Sequence, residues 1–382
     1  MQAVGIICEY NPLHAGHAYL LKRARERGDT VICLMSGNFV QRGEAAVLPP
    51  HARAEMALAA GADLVLELPF PYACGSARYF ATAGARALAG MGCNALAFGS
   101  ETADRDAIAA GAKRLNDTDF TADFDARTPE TGDAAAHFAA LGDTPAANDI
   151  LALEYTRAIL EEGLPMEICP ILREGASYHE AELGVGYPSA TALRKKLAEG
   201  ADITPCLPPV IGDIWKNALS ELGGTADTAR LGTALLARLR AGGLPEDIAD
   251  CGGGLLSHLA KAAYRATNYA ELCREAATKR YTNGRLRRVM LYLLAGVTRD
   301  DLLAPPAYLR LLGANERGRE YLAKTRKTRT VPVVTKNAEL DLADARVMRQ
   351  HTLEDIAHAL YALCLAQPTL PAALASKPPV ML

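Results

Sequence analysis

GIICEYNPLHAGH, residues 5–17, is the stretch whose reading decides the fold. It continues an apolar run, Ala3–Cys8, that predicts a short strand buried on both faces, as strands of parallel sheets are. Asn11-Pro12 make a turn, and helical patterning is expected over residues 18–27. Strand, tight loop and helix in that order aim backbone N–H groups and the positive helix end at a phosphate. Gly16 lets a ligand approach the backbone closely. His14 and His17 are three apart, so both imidazoles fall on the first helical turn. There they can donate hydrogen bonds to a nucleoside triphosphate and steady the charge growing on a leaving pyrophosphate. The competing reading is a pair of ordinary capping or surface histidines.

Outward from this stretch the pattern repeats. Apolar runs at residues 30–35 (TVICLM), 63–68 (DLVLEL), 94–98 and 166–172 (MEICPIL) read as further strands, with helices at 51–60, within 69–92 and at 146–163. Strands alternating with helices imply βαβ units with right-handed crossovers in a doubly wound sheet. The first βα turn has no GxGxxG, so a dinucleotide site is not expected. Ligands of such sheets bind at the carboxyl ends of the strands, which puts weight on three loops. SGNFVQRGEAAVLPP, residues 36–50, is too polar and punctuated for a regular element, and offers Asn38, Gln41, Arg42 and Glu44. Arg42 suits a carboxylate or phosphate, or simply pairs with Glu44. A second polar turn, in GYPSATALRKKLAEG at 186–200, places the good N-cap Ser189 beside Thr191 and Arg194. Those three read as a second phosphate clamp or as a well-capped helix with a basic face. Residues 102–143 are polar and Asp-rich, expected as inserted helices and loops.

Beyond residue 205 the alternation stops. Helical patterns dominate 210–296, a β-like pair (307–313 and 330–334) flanks a basic helix at 316–327, and a closing helix is expected at 342–365. The Pro-rich tail reads as loose. The net charge of −3 divides unevenly: residues 1–150 carry 12 basic and 18 acidic side chains, residues 261–349 carry 19 and 9. That split suggests two jobs, with the basic rear meeting an RNA backbone or merely presenting solvated faces. The densest run, KRYTNGRLRRVMLYLL, holds Lys279, Arg280, Arg285, Arg287 and Arg288, with Asn283 as a candidate cap. Lys324, Arg326, Lys327 and Arg329 form a second candidate strip. Nine cysteines without CxxC or CxxH spacing read as reduced thiols of a cytoplasmic protein, not a disulfide frame or a zinc site. Apolar runs of membrane-spanning length are missing, and the start lacks a basic n-region and cleavage site.

These motifs together carry a resemblance. HAGH at 14–17 resembles the HIGH signature of nucleotidylyl transferases and class I tRNA synthetases, and SATALR at 189–194 resembles their second motif. With MSGNFVQRGEAA, LELPFPYACGSARYFA, LAFGSE, NDILALEY and KRYTNGRLRRVML added, nearly the whole chain resembles the tRNA(Met) cytidine acetate ligase family. The resemblance implies an α/β fold, a Rossmann-like parallel sheet of the HIGH type followed by a mainly helical C-terminal domain. It implies an ATP and acetate adenylation domain at 1–204, a basic tRNA-binding domain at 205–368 and a flexible tail at 369–382. The implied activity activates acetate with ATP, Mg²⁺ accompanying it, and acetylates the wobble cytidine of elongator tRNA(Met). The implied ATP positions are Ile7, Cys8, Glu9, Tyr10, Asn11, Pro12, Leu13, His14, Ala15, Gly16, His17, Ala18, Tyr19 and Leu20, with Gly99, Asn148 and Arg173. Leu13, Ala15, Ala45 and Ala190 depart from the expected Phe, Asn, Pro and Ser. The alternatives are a cofactor adenylyltransferase of the same superfamily and a nucleotide-dependent RNA-binding protein that does no chemistry.

Overall fold

The computed structural model describes residues 2–116, 147–173, 188–367 and 369–382. Most of the polar insertion expected at 102–143, and Gly186 of the second polar turn, lie outside the described residues. The first half runs β1 (Ala3–Cys8), α1 (Ala15–Arg25), β2 (Thr30–Ser36), β3 (Phe39–Val40), β4 (Glu44–Ala45), α2 (Pro50–Ala59) and β5 (Leu64–Leu68). It continues with α3 (Ala77–Gly90), β6 (Ala95–Ser100), α4 (Arg105–Leu115), α5 (Ala147–Glu161), β7 (Glu167–Leu172) and α6 (Ala190–Ala198). A helical run follows: α7 (Gly212–Leu222), α8 (Gly232–Arg240), α9 (Leu255–Ala263), α10 (Tyr269–Ala276), α11 (Asn283–Ala295) and α12 (Arg299–Leu303). The chain closes with β8 (Leu309–Ala314), α13 (Glu316–Thr325), β9 (Val333–Val334), α14 (Ala345–Cys364), α15 (Pro371–Ala375) and β10 (Val380–Met381).

Among the described residues, one sheet takes the order β10-β8-β5-β2-β1-β6-β7, with β9 beside β8. The five strands from β5 to β7 are all parallel. Chain order runs one way from β1 through β2 to β5 and the other way through β6 to β7. The reversal opens a crevice at the carboxyl ends of β1 and β6, the place where such sheets bind ligands. Alternation along β1 explains the layers: Val4, Ile6 and Cys8 face a cluster with Leu21 and Ala24 of α1 and Ala57 of α2. Ala3 and Ile7 face the opposite cluster with Phe80 and Leu88 of α3. Gly5 brings α3 close, since a Cβ there would sit 2.6 Å from Leu88 Cδ1.

Four expectations change. Helix α1 begins at Ala15, not residue 18, because His14 itself caps it. The loop at 36–50 contains the antiparallel ribbon β3–β4, register Phe39↔Ala45. The expected pair β8 and β9 exists, parallel with Leu309↔Val333, but β8 also joins β5 antiparallel and so extends the main sheet. Residues 369–382, read as a loose tail, instead supply α15 and β10, which pairs with β8 at Val380↔Gly313. The core likewise crosses residue 204: one apolar cluster runs from Ile7 and Phe80 through Leu259 and Leu286 to Tyr361. The phenols of Tyr292 and Tyr361 donate to the carbonyls of Cys74 and Ala46, tying rear helices to front loops at 2.9 and 2.8 Å. Among the described residues no helix is long and apolar enough to cross a membrane.

Candidate active site

The turn after β1 is built inward. Tyr10 adopts the left-handed region at φ 48° and is fully buried, its hydroxyl 3.3 Å from Cys33 Sγ. Asn11 is also buried, and its Oδ1 accepts from the Val47 N–H at 2.8 Å. At the start of α1 the Gly16 N–H donates to His14 Nδ1 at 3.1 Å, and the His14 N–H donates to His17 Nδ1 at 3.3 Å. The two rings lie 3.9 Å apart, tilted by 31°. The N–H groups of Gly16 and His17 are thus already satisfied, the latter by the His14 carbonyl at 2.9 Å. What the helix start offers an anion is chiefly the imidazoles. A neutral imidazole that accepts at Nδ1 carries its proton on Nε2. Burial, then Arg173 and Arg194, hold His14 down to about 4. Burial and the neighbouring His14 push His17 well below the usual histidine range. Both rings are neutral donors at pH 7.

The second motif meets this turn. Ser189 caps α6, accepting from the Ala192 N–H at 3.2 Å. One turn on, Arg194 donates through Nη1 to the Asn11 carbonyl at 2.8 Å and through Nη2 to Thr191 Oγ1 at 3.3 Å. Arg173, just past β7, lies against Gly99, where a Cβ would come within 3.3 Å of its Cγ, and pairs with Glu101 at 3.6 Å. Asn148 sits in the first turn of α5. Its neighbour Asp149 clamps the end of β6, accepting from Ser100 Oγ at 2.8 Å and the Glu101 N–H at 3.0 Å. His14, Arg173 and Arg194 therefore converge on the crevice, with Ser189 and Thr191 on the same short helix start.

The loop at 36–50 forms the next wall. The Gln41 N–H donates to Glu9 Oε1 at 2.9 Å, and burial raises the Glu9 carboxyl despite Arg194 nearby. Asn38 is buried, its Oδ1 without a partner, and Arg42 is exposed. Glu44 does not pair with Arg42; it pairs with Arg287, and at 3.8 Å with Arg194. One residue escaped the sequence reading. Arg53 of α2 is 1% exposed and donates to the carbonyls of Leu48 (2.9 Å), Glu9 (2.6 Å), Ser36 (2.9 Å) and Gly37. It stitches the turn after β1 to both ends of the loop at 36–50. A signal existed: residues 50, 53, 54, 57 and 58 make one buried helical stripe, and an arginine in such a stripe needs buried acceptors.

A family profile described as HIGH Nucleotidyl Transferase matches residues 1–372. The tRNA(Met) cytidine acetate ligase of Syntrophotalea carbinolica is 36% identical over 357 residues, covering 88% of this chain and 85% of that protein. The chain belongs to the tRNA(Met) cytidine acetate ligase family. Two crystal structures of Thermotoga maritima TmcAL superpose over the full length of both chains. The apo form gives a TM-score of 0.90 at 29% identity, and the form bound with alpha-thio ATP gives 0.88 at 28%.

In this family member the basic rear is not laid out as the sequence suggested. Arg285 and Arg288 pair with Asp250, at 3.2 and 3.0 Å, and Arg287 with Glu44. All three are committed inside the protein. Thr282, not Asn283, occupies the cap position of α11. Lys279 and Arg280 are exposed, Arg280 stacking 5.3 Å from the Tyr281 ring centroid. The strip at 324–329 lies elsewhere. It runs off the last turn of α13, which leaves Asn315 beside Asp63 at the amino end of β5, and Thr330 returns to the Gly90 carbonyl. That is the amino end of the parallel strands, away from His14 at the carboxyl end of β1.

Proposed function

We propose that this chain activates acetate with ATP and acetylates the wobble cytidine of elongator tRNA(Met). The observation that carries the reading is the meeting of His14, His17 and Arg194 at one turn, in a fold shared with a relative bound to an ATP analogue. An acetate oxygen attacks the α-phosphorus while the bond to the bridging oxygen of the β-phosphate breaks, giving acetyl-adenylate and pyrophosphate. Acetate is already an anion at neutral pH, so the step needs alignment and charge stabilisation, not a base. The Nε2–H groups of His14 and His17 and the guanidinium of Arg194 supply both. The cytidine amine then attacks the acetyl carbonyl, AMP leaves, and the nitrogen releases its proton to solvent. Its lone pair is delocalised into the ring, which is why it needs an acyl donor as reactive as a mixed anhydride.

Magnesium fits only loosely. Among the described residues no three His, Cys, Asp or Glu side chains gather as a metal site. Glu9 and Glu44 are already engaged by Gln41 and by two arginines. An ion arriving with ATP would keep phosphate and water ligands. We place the activity in the cytoplasm, in keeping with nine free cysteines. Mass analysis of nucleosides from bulk tRNA, after incubation with the chain, ATP and acetate, tests the reading. Acetylcytidine that requires both small molecules is expected. A stable dinucleotide product would mean a cofactor adenylyltransferase, and unconsumed ATP would mean a binder.

A further inference from the structure

The Glu44 carboxylate stands between two arginines from distant parts of the chain. Its Oε1 is held tightly by Arg287, while its Oε2 is 3.8 Å from Arg194 Nε, outside hydrogen-bond range. Arg194 spends its Nη atoms instead on the Asn11 carbonyl and Thr191. The approach of Arg287 is enforced by backbone packing. Gly43, at φ 70°, lies so close to α11 that a Cβ would fall 2.5 Å from the Arg288 nitrogen and 2.7 Å from the Arg287 carbonyl carbon. We propose that Arg287 is a positioning residue of the nucleotide site, occupying Glu44 so that this carboxylate does not draw Arg194 off the Asn11 carbonyl and Thr191, where it would meet an anionic ligand. This rests on reading the crevice as a triphosphate site. It departs from a phosphate-contact role in tRNA binding, because the guanidinium is already committed to a carboxylate of the front loop.

The sign of the effect follows from charge. Without Arg287, Glu44 turns its full charge on Arg194 and on any phosphate beside it. Without Glu44, the same phosphate loses a repelling neighbour. Equilibrium binding of ATP to the full chain, which needs neither acetate nor tRNA, reads this directly. Arg287→Ala is expected to weaken ATP binding by about tenfold, and Arg287→Ala with Glu44→Gln to restore it to within about threefold of the parent. Glu44→Gln alone is expected to bind ATP at least as tightly as the parent, which keeps the idea testable if Arg287→Ala does not fold. Unchanged ATP affinity in Arg287→Ala, no restoration in the double variant, or weaker binding in Glu44→Gln each overturns the proposal. A parent chain that binds no ATP overturns the nucleotide reading beneath it.

Discussion

A neutral imidazole has one lone pair, and in His14 and His17 that pair is spent on a backbone N–H. Neither ring is therefore a base; both are fixed donors. His14→Asn keeps a side chain that caps helices well while deleting the outward N–H. Turnover should fall by roughly 10²–10³-fold, the usual loss for one preorganised donor, with the fold retained. The same variant has a pH signature. His14 titrates at about 4 when folded against an ordinary 6.5. Unfolded chains bind that proton first, so this contribution to stability is lost as pH falls from 6.5 towards 4. The slope approaches about 1.4 kcal/mol per pH unit. Urea melts of parent and His14→Asn should converge, or cross, on going from pH 7 to pH 5; parallel curves would show that His14 is not buried neutral. The histidines, Ser189 and Arg194 were legible because each sits within a few residues of its own motif. The pairing of Glu44 with Arg287 was not, since no spacing rule reaches across 243 residues of chain.

At the scale of elements, the parallel strands were legible for a simple reason: burial on both faces writes a continuous apolar run, and each run is followed by a helix. The ribbon β3–β4 and the strand β10 have two residues each, too few to show any period. The contact between the ribbon turn and α11 gives a clean comparison. Gly43 and Gly163 both have positive φ, 70° and 58°, but a Cβ at Gly163 meets nothing within 4 Å. Gly163→Ala should cost only the backbone strain, about 1 kcal/mol. Gly43→Ala must also push α11 away and should cost at least twice that in denaturant melts. Equal losses would mean that the ribbon and the helix are not held against each other.

For the whole molecule, the separation of the two basic strips decides where RNA is expected. Lys279 and Arg280 precede α11, whose Arg287 pairs with Glu44 of the site wall, while residues 324–329 sit by the amino ends of the parallel strands, the end away from the site. Replacing Lys279 and Arg280 by Ala should weaken tRNA binding and lower the salt slope by about 0.7–0.9 for each phosphate no longer neutralised. ATP affinity should stay the same; an unchanged slope would remove this surface from the interface. Across the expected division at residue 204, helices of the rear bury their apolar faces in the same cluster as the front, a long-range packing that no local pattern announces. A fragment ending there leaves the β5 edge without β8. It should be insoluble or molten, judged by loss of near-UV circular dichroism, and a cooperatively melting fragment would show that the front folds alone. The antiparallel pairing of β5 with β8 also has a consequence in time. During synthesis β5 emerges some 245 residues before its neighbour, roughly 10 to 50 s at 5–20 residues per second. For that interval the edge is an open template for any passing strand. Its protection must come from binding by chaperones or from transient cover, and slowing translation between residues 68 and 309 should raise the aggregated fraction more than slowing it after residue 314.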